Sequence, residues 1–139
     1  MIKCILPPRQ PDKWGQGHYG APRGNRLHNG IDMNCPPEAQ IFPSVAGTVT
    51  KHGWVSSNPK KQHLRYIEIT DDNDQRHRYM YVEPIAKVGE YVSPENVIGK
   101  AQNLESAYPG ITNHIHYEIK LPDDSYIDPT PFAIGGYHV

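Results

Sequence analysis

Two histidines two residues apart, His114 and His116, and a histidine four residues ahead of an aspartate, His28 and Asp32, are the side chains here whose types and spacing could do chemistry together. Alternate residues of a strand leave the same face, so His114 and His116 stand side by side over one spot. One can bind a metal while the other acts beside it. Fully extended, His28 and Asp32 would lie roughly 13 Å apart at about 3.3 Å per residue, too far for two bonds of about 2.0–2.2 Å to one zinc ion. Asn29-Gly30 between them is a turn dipeptide that lets them converge. Two imidazoles and a carboxylate are the ligand set of a catalytic zinc site, which leaves a fourth position to water; structural zinc sites are closed by four protein ligands. A His-x-His pair alone is more often a cross-strand polar pair than a metal site, and a His-x-x-x-Asp alone is a weaker signal still. Found together, they bring a metal site into consideration.

The elements that must position these residues are β-strands. A chain of 139 residues suffices for one domain and is too short for two ordinary ones. The content of 14 Pro, 12 Gly and 9 Tyr, with many Val and Ile, favours a turn-rich, mainly β fold. Residues 1–139 are read as a single domain, with an irregular N-terminal segment over 1–27 and a β core over 28–132. Alternation predicts strands over 31–35, 46–51, 64–70, 77–82, 88–92, 96–100 and 114–119, with turns at Pro36-Pro37, Asp71–Asp74 and Ser93-Pro94-Glu95. The stretch from Tyr126 to Phe132 could open a short helical turn. The acidic run Asp71–Asp74 lacks the Gly and distal Glu of a calcium loop and reads as a hairpin tip. Trp14 and Tyr19 could wall a groove or simply pin a loop to the core.

Charge excludes some partners. With 14 Lys+Arg against 15 Asp+Glu, the chain offers no footprint for nucleic acid or an anionic membrane. No apolar run approaches the ~18 residues of a membrane span. Met1 to Pro8 carries the basic residue Lys3 and an apolar run too short for a signal peptide. The expectation is a leader removed before this numbering or a route without one. Cys4 and Cys35 allow one pairing, whose loop of about 30 residues would stabilise by a few kcal/mol; two reduced, partly buried thiols fit equally.

The motifs taken in order resemble the lysostaphin/LytM-type zinc metallopeptidases: Arg26-x-His28-x-Gly30-Ile31-Asp32, Ala46-Gly47-Thr48-Val49, Tyr79-x-Tyr81-Val82, Val88-Gly89-x-x-Val92 with Ile98-Gly99, His114-x-His116-x-Glu118, and Ile127-Asp128-Pro129. Within that fold, Gly15-x-Gly17-x-Tyr19-x-Ala21-x-Arg23, Cys35, Tyr81-Val82-x-Pro84-Ile85 and Tyr108-Pro109-Gly110-Ile111 are similar to the leukocyte-derived chemotaxin branch, which keeps the zinc ligands and is regarded as a binding protein. The resemblance implies antiparallel sheets in a sandwich with a zinc groove. It also implies His28, Asp32 and His116 as zinc ligands and His114 as the catalytic histidine that activates or orients the attacking water. Where the family usually carries a second catalytic histidine, this chain has Tyr81.

A phenol with a reference pKa of about 10 is a donor rather than a base near neutral pH. Tyr81 could still hold the oxyanion of a tetrahedral intermediate, though losing a base could lower the rate on the order of 10² to 10³. His77, on the same strand, is too far from that position to replace it, and His18, His52, His63 and His138 read as surface histidines. The expected function is a zinc metalloendopeptidase cutting peptide bonds of bacterial peptidoglycan, with Arg26 and Asn113 fixing substrate or ligands. It would act at the cell envelope, exported without a leader or carried by a phage particle as an endolysin, and could dock into a larger assembly such as a virion. The alternative is a zinc-stabilised binding module of the same fold, impaired by Tyr81.

Overall fold

A computed structural model describes residues 19–20, 22–23, 26–27 and 29–133. Its strands are β1 (Pro22–Arg23), β2 (Arg26–Leu27), β3 (Ile31–Asn34), β4 (Gln40–Ile41), β5 (Gly47–Trp54), β6 (Arg65–Thr70), β7 (Arg76–Met80), β8 (Val82–Pro84), β9 (Tyr91–Val92), β10 (Gly99–Ala101), β11 (His114–Lys120) and β12 (Tyr126–Ile127), followed by a helical turn α1 (Thr130–Ala133). The large sheet runs β12-β11-β7-β6-β5-β9, with β3 also paired to β11; β4-β10-β8 form a second sheet. Every pairing is antiparallel. Among the described residues no helix is long and apolar enough to cross a membrane.

Period-two alternation assigns each face its task. Ile67 and Ile69 of β6, Tyr79 of β7, and Ile115, Tyr117 and Ile119 of β11 turn toward the second sheet, whose Ile41, Val82 and Ala101 close the core. The opposite face is polar: Glu68, Arg78, Glu118, His116 and Asp32 occupy it by register. Gly53 leaves room on that face for the Tyr66 ring, since a Cβ there would meet the ring carbons at 2.2 and 2.3 Å.

The mainly β antiparallel fold expected from the sequence is the one observed. Two details differ. The segment over 1–27, read as irregular, contains the short β1–β2 pair. The strand expected over 77–82 is divided, because Tyr81 has a positive φ of 67° and separates β7 from β8. Cys35 is buried, and burial pushes its thiol up to about 12 against a lowering contribution from the Ile115 backbone. Cys4, Trp14 and the other histidine of the N-terminal segment, His18, lie outside the described residues; Tyr19 packs against the core.

Behind the polar face, His77 is fully buried and linked on both ring nitrogens, Nδ1 to the Tyr117 hydroxyl at 2.7 Å and Nε2 to Asp71 Oδ2 at 2.9 Å. Burial lowers the His77 pKa, outweighing the contact with Asp71. Burial pushes the Asp71 carboxyl up, but hydrogen bonds from His77 and from the Gln75 and Asn73 amides hold it below its ordinary value. Both shifts act in one direction. The unfolded chain takes up a proton at His77 near pH 6.5 that the folded chain resists, and Asp71 contributes stability that is lost at still lower pH. His77 should therefore contribute a fall in stability between about pH 7.5 and 5.5, of at most about 1.4 kcal/mol per pH unit, and His77→Gln should remove that contribution from the slope. Denaturant midpoints of both proteins at the two pH values check this; equal slopes would show that His77 does not titrate with unfolding.

Candidate metal and catalytic site

The site forms where β11 lies between β3 and β7. Asp32 stands directly across from His116, and Asn34 across from His114. Cross-strand neighbours carry their Cβ atoms about 4.5–5.5 Å apart, close enough for an imidazole and a carboxylate to meet. His116 Nδ1 is 3.0 Å from Asp32 Oδ1, and His114 Nε2 is 3.5 Å from Asp32 Oδ2. All three side chains are buried. The two histidines and Asp32 are thus brought together.

Each ring is held at its other nitrogen. His114 Nδ1 lies 2.7 Å from the Thr112 carbonyl, which can only accept, so Nδ1 carries a proton, and Nε2 is the atom turned to Asp32. His116 Nε2 lies 2.8 Å from Glu118 Oε1. An imidazole flanked by carboxylates on both nitrogens needs a cation between it and one of them. In the metal-free chain a proton fills that role: burial opposes it, but Asp32 and Glu118 together raise the His116 pKa to about 9. A metal ion can take the place of the Nδ1 proton. The Nδ1 to Oδ1 distance of 3.0 Å is near the ~3.3 Å edge of a tetrahedron with bonds of about 2.0–2.1 Å. Among the described residues no three such side chains form a metal-holding group. The third expected donor, His28, lies outside the described residues. The chemistry of the Asp32 and His116 donors fits zinc.

Gly30 explains how the chain approaches so closely. A Cβ at that position would stand 2.3 Å from the Tyr117 carbonyl oxygen and 2.9 Å from the His116 ring. Tyr81 reaches the site through its backbone. Its N–H donates to the Arg65 carbonyl and its own carbonyl accepts from Gln102 N–H, both at 2.8 Å. This pins the left-handed conformation, and the Tyr81 ring meets the His114 ring edge-on with centroids 5.5 Å apart. His77 shares the buried face with Tyr79 and points away from the site.

Of the two residues expected to fix substrate or ligands, Arg26 lies on β2 with its side chain outside the described residues. The Asn113 side chain donates to the carbonyls of Cys35 at 3.0 Å and Gln102 at 3.1 Å and accepts from Leu104 N–H at 2.9 Å. Gln102 completes a clasp. Its side chain accepts from Arg65 N–H and donates to the His63 carbonyl, both at 2.7 Å. Sequence reasoning missed Gln102, which lies in a stretch without periodicity. It also left Glu118 without a role, although that residue is the third of three alternate positions on β11.

Comparison with known proteins gives matches to the sequence and to the fold. A family model described as peptidase family M23 matches residues 26–129. Myeloid protein 1 of Gallus gallus is 30% identical over 115 residues, covering 77% of this chain; the match spans only 33% of that longer protein. Leukocyte cell-derived chemotaxin-2 of Bos taurus is 27% identical over 110 residues, covering 79% of this chain and 71% of its own length. Among solved structures, the catalytic domain of the antimicrobial peptidase lysostaphin from Staphylococcus simulans superposes with a TM-score of 0.67 at 23% identity, covering 87% of this chain and 91% of that one. The last likeness is one of fold.

Asn113→Ala leaves the Leu104 amide and two carbonyls without their partner. The expected cost is about 2–4 kcal/mol of stability, at roughly 1–3 kcal/mol per buried group left unsatisfied. Chemical denaturation checks the value. A stability change below about 0.5 kcal/mol would mean that the amide does not hold the loop.

Proposed function

The chain belongs to peptidase family M23, and on that premise we propose that it is a zinc metalloendopeptidase that hydrolyses peptide bonds of bacterial peptidoglycan. The observation that carries this reading is the presence of His114 beside His116, both turned to Asp32. A purely structural ion would need His116 but not His114. Held by Asp32, His116 and His28, Zn2+ would supply Lewis acidity at the scissile carbonyl and lower the pKa of a water molecule toward 7.

The chain's own groups do the rest. His114 Nε2 accepts the proton of the attacking water, and its Nδ1–H on the Thr112 carbonyl keeps the ring from turning. Tyr81 donates its phenolic proton as a hydrogen bond to the oxygen that gains charge. Arg26 is assigned to the substrate backbone. Asn113 supports the same groove by anchoring the loop that ends beside His114. On this reading the protein works at the bacterial envelope as a cell-wall lytic factor, alone or docked in a larger assembly such as a phage virion.

Tyr81 and the similarity to the two vertebrate relatives favour a second reading, a zinc-stabilised binding module in which the site holds a partner's carboxylate. Digestion of purified peptidoglycan by zinc-loaded protein separates the two. The enzyme releases peptide fragments identifiable by mass, His114→Ala abolishes the release, and Tyr81→His raises it by up to about 10² to 10³. No release across metals and pH from a protein that holds zinc selects the binding module. In either case His116→Ala should lose zinc by metal analysis and melt at lower temperature, because ligand loss removes metal-linked folding energy; full zinc occupancy in that variant would sink the ligand assignment.

A further inference from the structure

The polar face of the large sheet carries a row of charges leading into the site. Glu118 stands across from Arg78, and Arg78 across from Glu68. Arg78 Nε donates to Glu68 Oε2 at 2.8 Å, and Thr50 Oγ1 donates to Glu68 Oε1 at 2.8 Å. The Arg78 guanidinium also lies over the Tyr66 ring, 4.9 Å from its centroid. Glu118 and Glu68 are 5% and 6% exposed, too buried for carboxylates held only by solvent. Signs alternate along this row and on to His116 and Asp32.

We propose that Glu118 is a positioning residue for His116, and that the Glu68–Arg78 pair holds Glu118 in place. The inference rests on the zinc reading above and adds what selects the donor nitrogen. The carboxylate of Glu118 accepts from His116 Nε2, so the Nε2–H tautomer is fixed and Nδ1 is the atom turned to Asp32. Arg78 balances the buried charge of Glu118, and its own hydrogen bond to Glu68, with the Tyr66 ring beneath it, sets the guanidinium in a single place. A carboxylate behind a ligating imidazole orients the ring and makes the other nitrogen a better donor; losing such a partner costs about 10- to 100-fold in metal affinity.

Zinc affinity measured by competition with a chelating dye, without any activity assay, tests this. Wild type, Glu118→Gln, Glu118→Ala and Arg78→Met are compared, with circular dichroism to establish folding. The expected result is a loss of about 10- to 100-fold for both Glu118 variants and a smaller loss for Arg78→Met. Glu118→Gln keeps the shape of the side chain and so remains informative if the alanine variant does not fold. Imidazole shifts of the zinc-loaded protein give a second readout: the His116 Nε2–H resonance, set downfield by its hydrogen bond to Glu118, should move upfield in Glu118→Ala. Affinities within twofold of wild type, with unchanged shifts, would overturn the positioning role while leaving the zinc site intact. A wild-type protein that binds no zinc would overturn the zinc reading and this inference with it.

Discussion

The register of β11 against its two neighbours is the constraint on which the site depends. His116 faces Asp32 on one side and Met80 on the other, and Glu118 faces Arg78. A slip of one residue would turn Ile115, Tyr117 and Ile119 to the polar face and drive three titratable side chains into the core. The core therefore enforces the site. Tyr79 and Tyr117 stack with centroids 4.7 Å apart at 7°, and this packing on one face keeps His116 and Glu118 on the other. The geometry of the candidate site and hydrophobic burial are two consequences of one strand pairing.

How much of this was legible depends on whether a residue's role follows from periodicity. His114, His116 and the face they share were readable because a strand repeats every two residues, and Asp32 because a turn dipeptide precedes it. The strand over 64–70 and its returning partner emerged for the same reason. Gln102 was not legible: its partners Arg65 and His63 lie 37 and 39 residues away, in a different element. Nor could periodicity reveal the break at Tyr81, because a non-glycine residue with positive φ is disfavoured by local sterics and exists only where tertiary bonds compel it. Arg78 and Glu68 are polar positions of alternating strands, with nothing in their spacing to tie them to the histidines. Only pairing with β11 made them neighbours of a candidate ligand.

Tyr81 joins local strain to chemistry. Its left-handed backbone costs on the order of 1–2 kcal/mol, and two backbone hydrogen bonds, to Arg65 and from Gln102, compensate for it. The strand's regular twist would carry residue 81 along the direction of His77 and Tyr79. The break re-aims it to the edge of His114 instead. The position is thus built to present a side chain to that histidine, whichever residue stands there.

The two-amide clasp separates architecture from adaptation. The chain leaves the second sheet at Gln102 and returns to β11 at Asn113, and the two side chains bind each other's neighbourhood and the ends of β3 and β6. Leu104, fully buried, anchors the inside of the closure, while Glu105, Ser106, Pro109 and Gly110 are exposed. Loop entropy grows only slowly with length once the ends are fixed. The span from Glu105 to Ile111 is therefore a replaceable cassette, able to change length and composition beside the histidines while Thr112, whose carbonyl holds His114 Nδ1, stays with the frame.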